Sequence, residues 1–320
     1  VTSTVLVVDG PREGATDLVV EALAEASVDV FRMDMAQFPG ELELRVTHGT
    51  GGGDVWLGSL ATAYRSVELG DIGAVYWNRP GPFVFPGLSE SDAHWARGAA
   101  RIGFGGVLVS LGARWMNHPG RASAAEFKPW QLAVARSVGL EVPRTLVTNR
   151  ADEVVRFAED VGGPLVTKPM GVPYITHAGG SETMYTRVVD LDQLEGVEVT
   201  AHLFQEQVRK AFEVRLTCVG GRCLGVRIDA GSDVARGDWR ADYDALTYRP
   251  ISTPPAVAAA VGAYMARMEL SYAAFDFIVR PDGRWTFLEA NPSGQWAWLD
   301  SPTVPIAATI AGTLRGWCSP

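Results

Sequence analysis

The sequence predicts a mixed chain, α/β at its beginning and α+β toward its end, and three observations carry that prediction. Residues 4–10, TVLVVDG, form an apolar β-branched run closed by a glycine. Residues 16–26 then repeat apolar side chains at helical spacing before a second strand around residues 28–33. A β-α-β opening of this kind builds parallel strands. The last third instead alternates strongly and folds back on Pro281-Asp282-Gly283, the turn chemistry of an antiparallel hairpin.

The elements between follow in order. GTGGGD at 49–54 looks like a phosphate loop, but no apolar-periodic helix and no Lys-Ser/Thr pair follow it, so a flexible hairpin turn is expected. GAVYWNRPG (73–81) reads as a strand, residues 89–103 as a helix and VLVSLG (107–112) as another strand. Asn117-His118-Pro119-Gly120 is a clear break and ends the first domain. The expected division is 1–117, 118–200 and 201–320. The middle region reads as a helix over 122–139, interrupted near Pro129 and closed by Gly139. The strand TLVT, a helix over 151–160 and the strand PLVTKP, which carries Lys168, come next. Residues 170–189 suit a mobile hairpin or loop. Two strand segments, HLFQEQV and FEVRLTCVGGRCLGVRI, a polar stretch DVARGDWRADYD and a helix over 256–269 lead into the final hairpin.

Composition removes several function classes. Among 320 residues, 28 Lys and Arg against 37 Asp and Glu leave a net charge of −9 without a basic run, a poor match to nucleic acid or an anionic membrane. The longest uncharged stretch, residues 250–266, contains three prolines and is no membrane span. The N-terminal VTSTVLVVDG lacks a basic n-region, so no export signal and a cytoplasmic location are expected. Cys218, Cys223 and Cys318 show neither a CxxC nor a metal spacing and read as free thiols. Only three of the 28 basic residues are lysine: Lys128, Lys168 and Lys210. In so arginine-rich a chain, the surviving lysines are expected where a compact ammonium is required.

The chemistry concentrates on the final hairpin. Asp276 lies on one arm, and Glu289 and Asn291, two apart on the other, share a strand face. Two carboxylates and an amide oxygen are hard donors suited to Mg²⁺ bridging nucleotide phosphates. Lys128 and Lys168, each followed by proline, could converge on phosphate oxygens. The stretch FQEQVRKAFEVR could offer backbone groups around Val208 to an adenine edge, Glu213 to ribose hydroxyls and Arg215 to a phosphoryl group. Trp296 and Trp298 flank the acidic segment, as a peptide-facing wall or as packing. The five histidines show no metal or triad spacing.

The order Lys128, Lys168, QEQV, Glu213, Asp276 and Glu289-Ala290-Asn291 resembles the ATP-grasp fold. More narrowly, KPWQLAVARSVGLEVPRTLVTN, DWR (238–240) and FLEANPSGQWAWLD resemble the ATP-grasp peptide maturases that make graspetides, microviridin-type ligases included. That resemblance implies an N-terminal pre-ATP-grasp α/β domain, a central domain and a C-terminal antiparallel-sheet domain. It also implies a ligase using ATP and Mg²⁺. Asp or Glu side chains of a ribosomal precursor peptide, with a leader and an acidic core, would be activated as acyl phosphates. Ser/Thr hydroxyls or a Lys amine of the same peptide would then displace the phosphate, closing lactone or lactam rings.

Carried over by position, Lys128 and Lys168 would bind phosphates, Glu206 and the Val208 backbone adenine, and Glu213 the ribose. Asp276, Glu289 and Asn291 would hold magnesium, and Arg215 and Arg240 the acyl phosphate and the acceptor carboxylate. Lys210 would make a phosphate or peptide contact. The family reading also implies a homodimer, and a loop over residues 171–180 that closes on the phosphates. Two alternatives stand beside it. One is an ATP-grasp ligase adding an amino acid to a peptide or protein terminus, and the other a nucleotide-dependent binding module without turnover.

Overall fold

The computed structural model describes residues 3–11, 14–49, 55–171, 174–177, 180–233 and 242–319. The chain opens as β1 (Thr4–Asp9), α1 (Gly14–Glu25) and β2 (Val30–Met33). It continues through a three-strand antiparallel meander, β3 (Glu43–Thr47), β4 (Leu57–Ala61) and β5 (Ser66–Glu68), to β6 (Ile72–Asn78), α2 (Glu90–Val109) and β7 (Arg114–Met116). Strands β2-β1-β6-β7 form one parallel sheet in that order. Residues along β1 alternate between two cores. Val5 and Val7 pack with Val19 and Leu23 of α1, whereas Leu6 and Val8 pack with Phe104 and Leu108 of α2.

The sequence expectation of a strand over 107–112 is overturned here. Val107 and Leu108 finish α2, and the strand is the shorter β7. Buried positions Ala93, Ala100, Phe104, Val107 and Leu108 keep the helical period through the glycines at 103, 105 and 106. A short apolar run does not by itself distinguish strand from buried helix. GTGGGD lies between antiparallel β3 and β4, and its residues 50–54 fall outside the described set.

The middle region supplies α3 (Pro119–Ala125) and α4 (Lys128–Ser137). Expected as one interrupted helix, the pair breaks at residues 126–127, and Pro129 sits in the first turn of α4, where its missing N–H costs nothing. Gly139, at φ 90°, takes the left-handed turn that ends it. Next come β8 (Thr145–Thr148), α5 (Ala151–Val161) and β9 (Leu165–Lys168). A small antiparallel hairpin, β10 (Tyr174–His177) with β11 (Gly180–Thr183), falls in the segment read as a hairpin or loop. Strand β12 (Arg187–Val188) and β13 (His202–Glu206) complete a four-strand sheet, β12-β9-β13-β8, with α5 packed on it through Val154.

The last sheet is antiparallel with the order β16-β15-β14-β17-β18: β14 (Phe212–Val219), β15 (Arg222–Ala230), β16 (Leu246–Ile251), β17 (Tyr272–Val279) and β18 (Trp285–Asn291). Helix α6 (Pro255–Met268) and α4 cover one of its faces, where Val214, Leu216, Phe275, Phe277 and Phe287 meet Leu132, Val261 and Tyr264. The final helix, α7 (Ile306–Cys318), returns to the first sheet and packs beside α1 through Ile310 and Leu314. The expectation of three free thiols fails for two of them. Cys218 and Cys223 face each other at the end of the β14–β15 hairpin, their Cα atoms 4.1 Å apart, and are disulfide-bonded; Cys318 is a buried free thiol. No helix among the described residues is long and apolar enough to cross a membrane.

Candidate active site

The last sheet has one apolar face and one polar face, and register decides which residues share the polar one. Arg215 stands directly opposite Asp276, Asp276 opposite Glu289, and Ala274 opposite Asn291. Directly opposed residues point to the same side, as do residues two apart on one strand. Glu213, Arg215, Asp276, Glu289 and Asn291 therefore project together, back to back with Val214, Phe275 and Ala290 of the core.

One irregularity makes this possible. Glu289 lies two residues from Phe287, so a regular strand would send both into the core. A bulge at Leu288, where the register shifts between Asp276 and Phe277, turns Glu289 to the polar face. The same bulge presents the Leu288 carbonyl to Lys168, whose Nζ donates to it at 3.2 Å from the end of β9. Lys128, the first residue of α4, places its Nζ 2.6 Å from Glu289 Oε2, with both side chains about six-sevenths buried. Both lysines thus converge on β18 from different elements.

Arg215 is almost enclosed. Its Nη1 donates to Asp276 Oδ1 at 2.7 Å and its Nη2 to the Gln295 carbonyl at 3.1 Å, while Nε is buried with no hydrogen-bond partner among the described residues. The Trp298 ring lies 6.0 Å from the guanidinium. Gly294 is required beside it, because a Cβ there would come within 2.8 Å of Arg215 Nη2 and 2.7 Å of Ala274 Cβ. The Tyr272 hydroxyl donates to the Gly294 carbonyl at 2.6 Å. Burial pushes that phenol far above its ordinary value, with Arg215 pulling it slightly back, so it stays a neutral donor.

At the other end of the face, Lys210 is hydrogen-bonded to Glu213. Glu206, at the end of β13, has Arg280 at 3.5 Å, and Arg280 also pairs with Glu141 at 2.8 Å. Val208 follows β13 outside any helix or strand, and no hydrogen bond to its backbone forms among the described residues. Arg240, with the rest of DWR, lies outside the described residues, as do parts of the 171–180 segment. Trp296 is buried in core packing rather than facing a ligand; Trp298 is 41% exposed beside Arg215.

The donor set fits a small hard cation. Among the described residues no group of three or more His, Cys, Asp or Glu side chains is placed to hold a metal ion. Two carboxylates and an amide on adjacent strands suit Mg²⁺, which keeps waters and takes its remaining oxygens from phosphates. Asn291 spends its Nδ2 on Glu289 Oε1 at 3.4 Å, leaving its oxygen as the donor atom. The sequence reading missed the Leu288 bulge, the Arg280–Glu206 pair and Gly294. Only Gly294 left a trace, as a small residue within the polar turn Pro292-Ser293-Gly294.

No family model matches the chain, and no curated protein does. Solved structures do. The chain is similar to a RiPP-associated ATP-grasp ligase of Chryseobacterium gregarium, solved with ADP and a leader and core peptide, at 26% identity, covering 98% of this chain and 96% of that one, with a TM-score of 0.89. It is similar to the macrocyclase MdnC of Microcystis aeruginosa, solved with the precursor peptide MdnA, at 28% identity over 98% and 99% of the chains with a TM-score of 0.82. It also resembles the macrocyclase MdnB of the same organism, at 26% identity over 98% and 99% with a TM-score of 0.77. The fold and its full-length matches define an ATP-grasp ligase. Within that class, the chain is similar to a RiPP-associated ligase and to two macrocyclases.

Proposed function

We propose that this enzyme closes rings in a ribosomal precursor peptide by activating Asp or Glu side chains with ATP and joining them to Ser/Thr hydroxyls or a Lys amine of the same peptide. The observation that supports it most is the polar face of the last sheet, where two lysines, one arginine and three oxygen donors from separate segments meet. A carboxylate and a triphosphate repel each other, and a site that joins them needs several fixed cations.

In this reading the two lysines hold phosphate oxygens, and Asp276, Glu289 and Asn291 hold Mg²⁺. Bound there, Mg²⁺ would neutralise phosphate charge and orient the γ-phosphoryl group for attack. Glu206 and the Val208 backbone take adenine, and Glu213 the ribose. Arg215 braces Asp276 and is assigned a phosphoryl oxygen, and Arg240 is assigned the acceptor carboxylate. The peptide carboxylate displaces ADP from the γ-phosphorus, and its nucleophile then displaces phosphate and forms the ester or amide.

The test is the intact mass of a candidate precursor peptide after incubation with enzyme, ATP and Mg²⁺. Loss of one water per ring with one ADP released per ring is expected. A mass gain equal to an added amino acid would replace this reading with terminal ligation.

The cytoplasm, where ATP and nascent peptide are at hand, is the proposed location. A homodimer is proposed through α2. Trp95, Ala99, Ile102, Gly106 and Val109 recur at 4-3-4-3 spacing, the pattern of a helix–helix seam, with Trp95 74% and Ile102 66% exposed. Its acidic first turn, Glu90 and Asp92, would lie by the partner's Arg114 end in an antiparallel pair. Sedimentation should show a dimer that Ile102→Glu converts to monomer; a monomeric wild type would refute it.

A further inference from the structure

Two carboxamides that touch neither the lysines nor the carboxylates grip the segment bearing Glu289 and Asn291. The first is Gln131, 3% exposed, one turn along α4 from Lys128. Its Oε1 accepts from the Ala290 N–H at 3.0 Å, and its Nε2 donates to the Ala290 carbonyl at 2.8 Å and the Ala125 carbonyl at 2.7 Å. The second is Asn117, 2% exposed, immediately after β7 of the parallel sheet. Its Nδ2 donates to the carbonyls of Pro292 at 2.8 Å and Tyr272 at 2.7 Å, and its Oδ1 accepts from Ser271 N–H at 2.7 Å and Tyr272 N–H at 3.0 Å.

Strand β18 is the edge of its sheet, so its outward backbone groups have no neighbouring strand. Gln131 satisfies both outward groups of Ala290, the residue between the two proposed metal ligands. Glu141 does the same for the Phe287 N–H, at 2.8 Å. Asn117 closes the far end, tying the residue after Asn291 to the first residue of the strand that carries Asp276. The backbone partners fix the amide orientations, because only nitrogen can donate to two carbonyls and only oxygen can accept from N–H groups. Buried amides with this many bonds are costly to leave half satisfied, which makes them rigid supports.

We propose that Gln131 and Asn117 are positioning residues for the cation site. They fix the spacing of the Asp276, Glu289 and Asn291 oxygens, and Gln131 in addition sets Lys128 against Glu289 through their shared helix. Partners of this kind behind a metal's ligands commonly tune affinity by about 10- to 100-fold. The inference rests on the reading that this face binds a metal–nucleotide complex.

The test uses Mn²⁺ and ADP as probes with the full chain, following bound Mn²⁺ by electron paramagnetic resonance and metal-free ADP affinity in chelator. Gln131→Glu and Asn117→Asp keep the shape and the oxygen but set a carboxylate against two carbonyls; Gln131→Met keeps the volume without hydrogen bonds. Each is expected to weaken Mn²⁺ binding in the presence of ADP by about tenfold. Metal-free ADP affinity should stay within about twofold, and ring formation should recover at saturating Mg²⁺. Unchanged Mn²⁺ affinity in all three variants overturns the inference. So does an equal loss of metal-free ADP affinity, which would mean a general distortion. A wild-type chain that binds no Mn²⁺ with ADP fails at the earlier step and takes the function reading down with it.

Discussion

The first and last sheets solve the same burial problem differently, and the difference explains where chemistry sits. In the parallel sheet both faces are covered, so β1 reads as a continuous apolar run and carries charge only at its end, Asp9, paired with Arg32 at 2.6 Å. In the antiparallel sheet, helices cover one face and leave much of the other to charged residues, so β14, β17 and β18 alternate aromatic or aliphatic residues with Glu213, Arg215, Asp276 and Glu289. Strands with a single buried face can carry a row of ionisable groups; strands buried on both cannot, unless each charge is paired.

The strongest way to break that comparison is to remove charge from the polar face. Lys168→Ala and Glu289→Ala should each reduce ring formation by at least about 10²-fold, measured as cyclised peptide over time, while precursor binding measured by fluorescence anisotropy stays near wild type. An ordinary rate in either variant would move the site elsewhere. On the opposite face, Phe287→Ala should lower stability by about 3–5 kcal/mol in denaturant titration, because it leaves a cavity among Phe275, Phe277 and Tyr264.

Gly294→Ala sharpens the contrast. Its Cβ would press on Arg215 Nη2 and on the buried Ala274 Cβ, so the rate should fall about tenfold or more and the unfolding midpoint should fall with it. The smallest effect is expected at Asp229, where hydrogen bonds from Arg227 and Arg249 hold the carboxyl below its ordinary value of 3.8. Because its folded value is depressed, its contribution is present above the unfolded value and is lost as pH falls through the folded one. Asp229→Asn should cost under about 1 kcal/mol at neutral pH, and the difference from wild type should vanish in acid.

Much of the fold was legible because periodicity reports burial. The β-α-β opening, the PDG hairpin and Lys168 at a strand end all appear where one-dimensional pattern predicts them. VLVSLG misled because an apolar run is the same whether helix or strand buries it. Within the site, the pairing of Asp276 with Glu289 was legible from the turn that joins their strands. The Leu288 bulge was not, since it inserts one residue without changing the hydrophobic pattern. Nor were Gln131 and Asn117, whose partners are backbone atoms and, except for the Ala125 carbonyl, lie more than 150 residues away in sequence. The disulfide was equally hidden, because a spacing of five residues suggests no bond until the hairpin register puts Cys218 opposite Cys223.

The most direct test of the central claim follows oxygen. A precursor peptide whose Asp and Glu side-chain carboxylates are labelled with ¹⁸O should, on ring closure, transfer one labelled oxygen per ring to the released inorganic phosphate. That outcome requires the carboxylate oxygen to have become bonded to phosphorus before the ring closed. Ring closure with unlabelled phosphate would contradict it, because the carboxyl oxygen would then have left by a route that does not pass through an acyl phosphate.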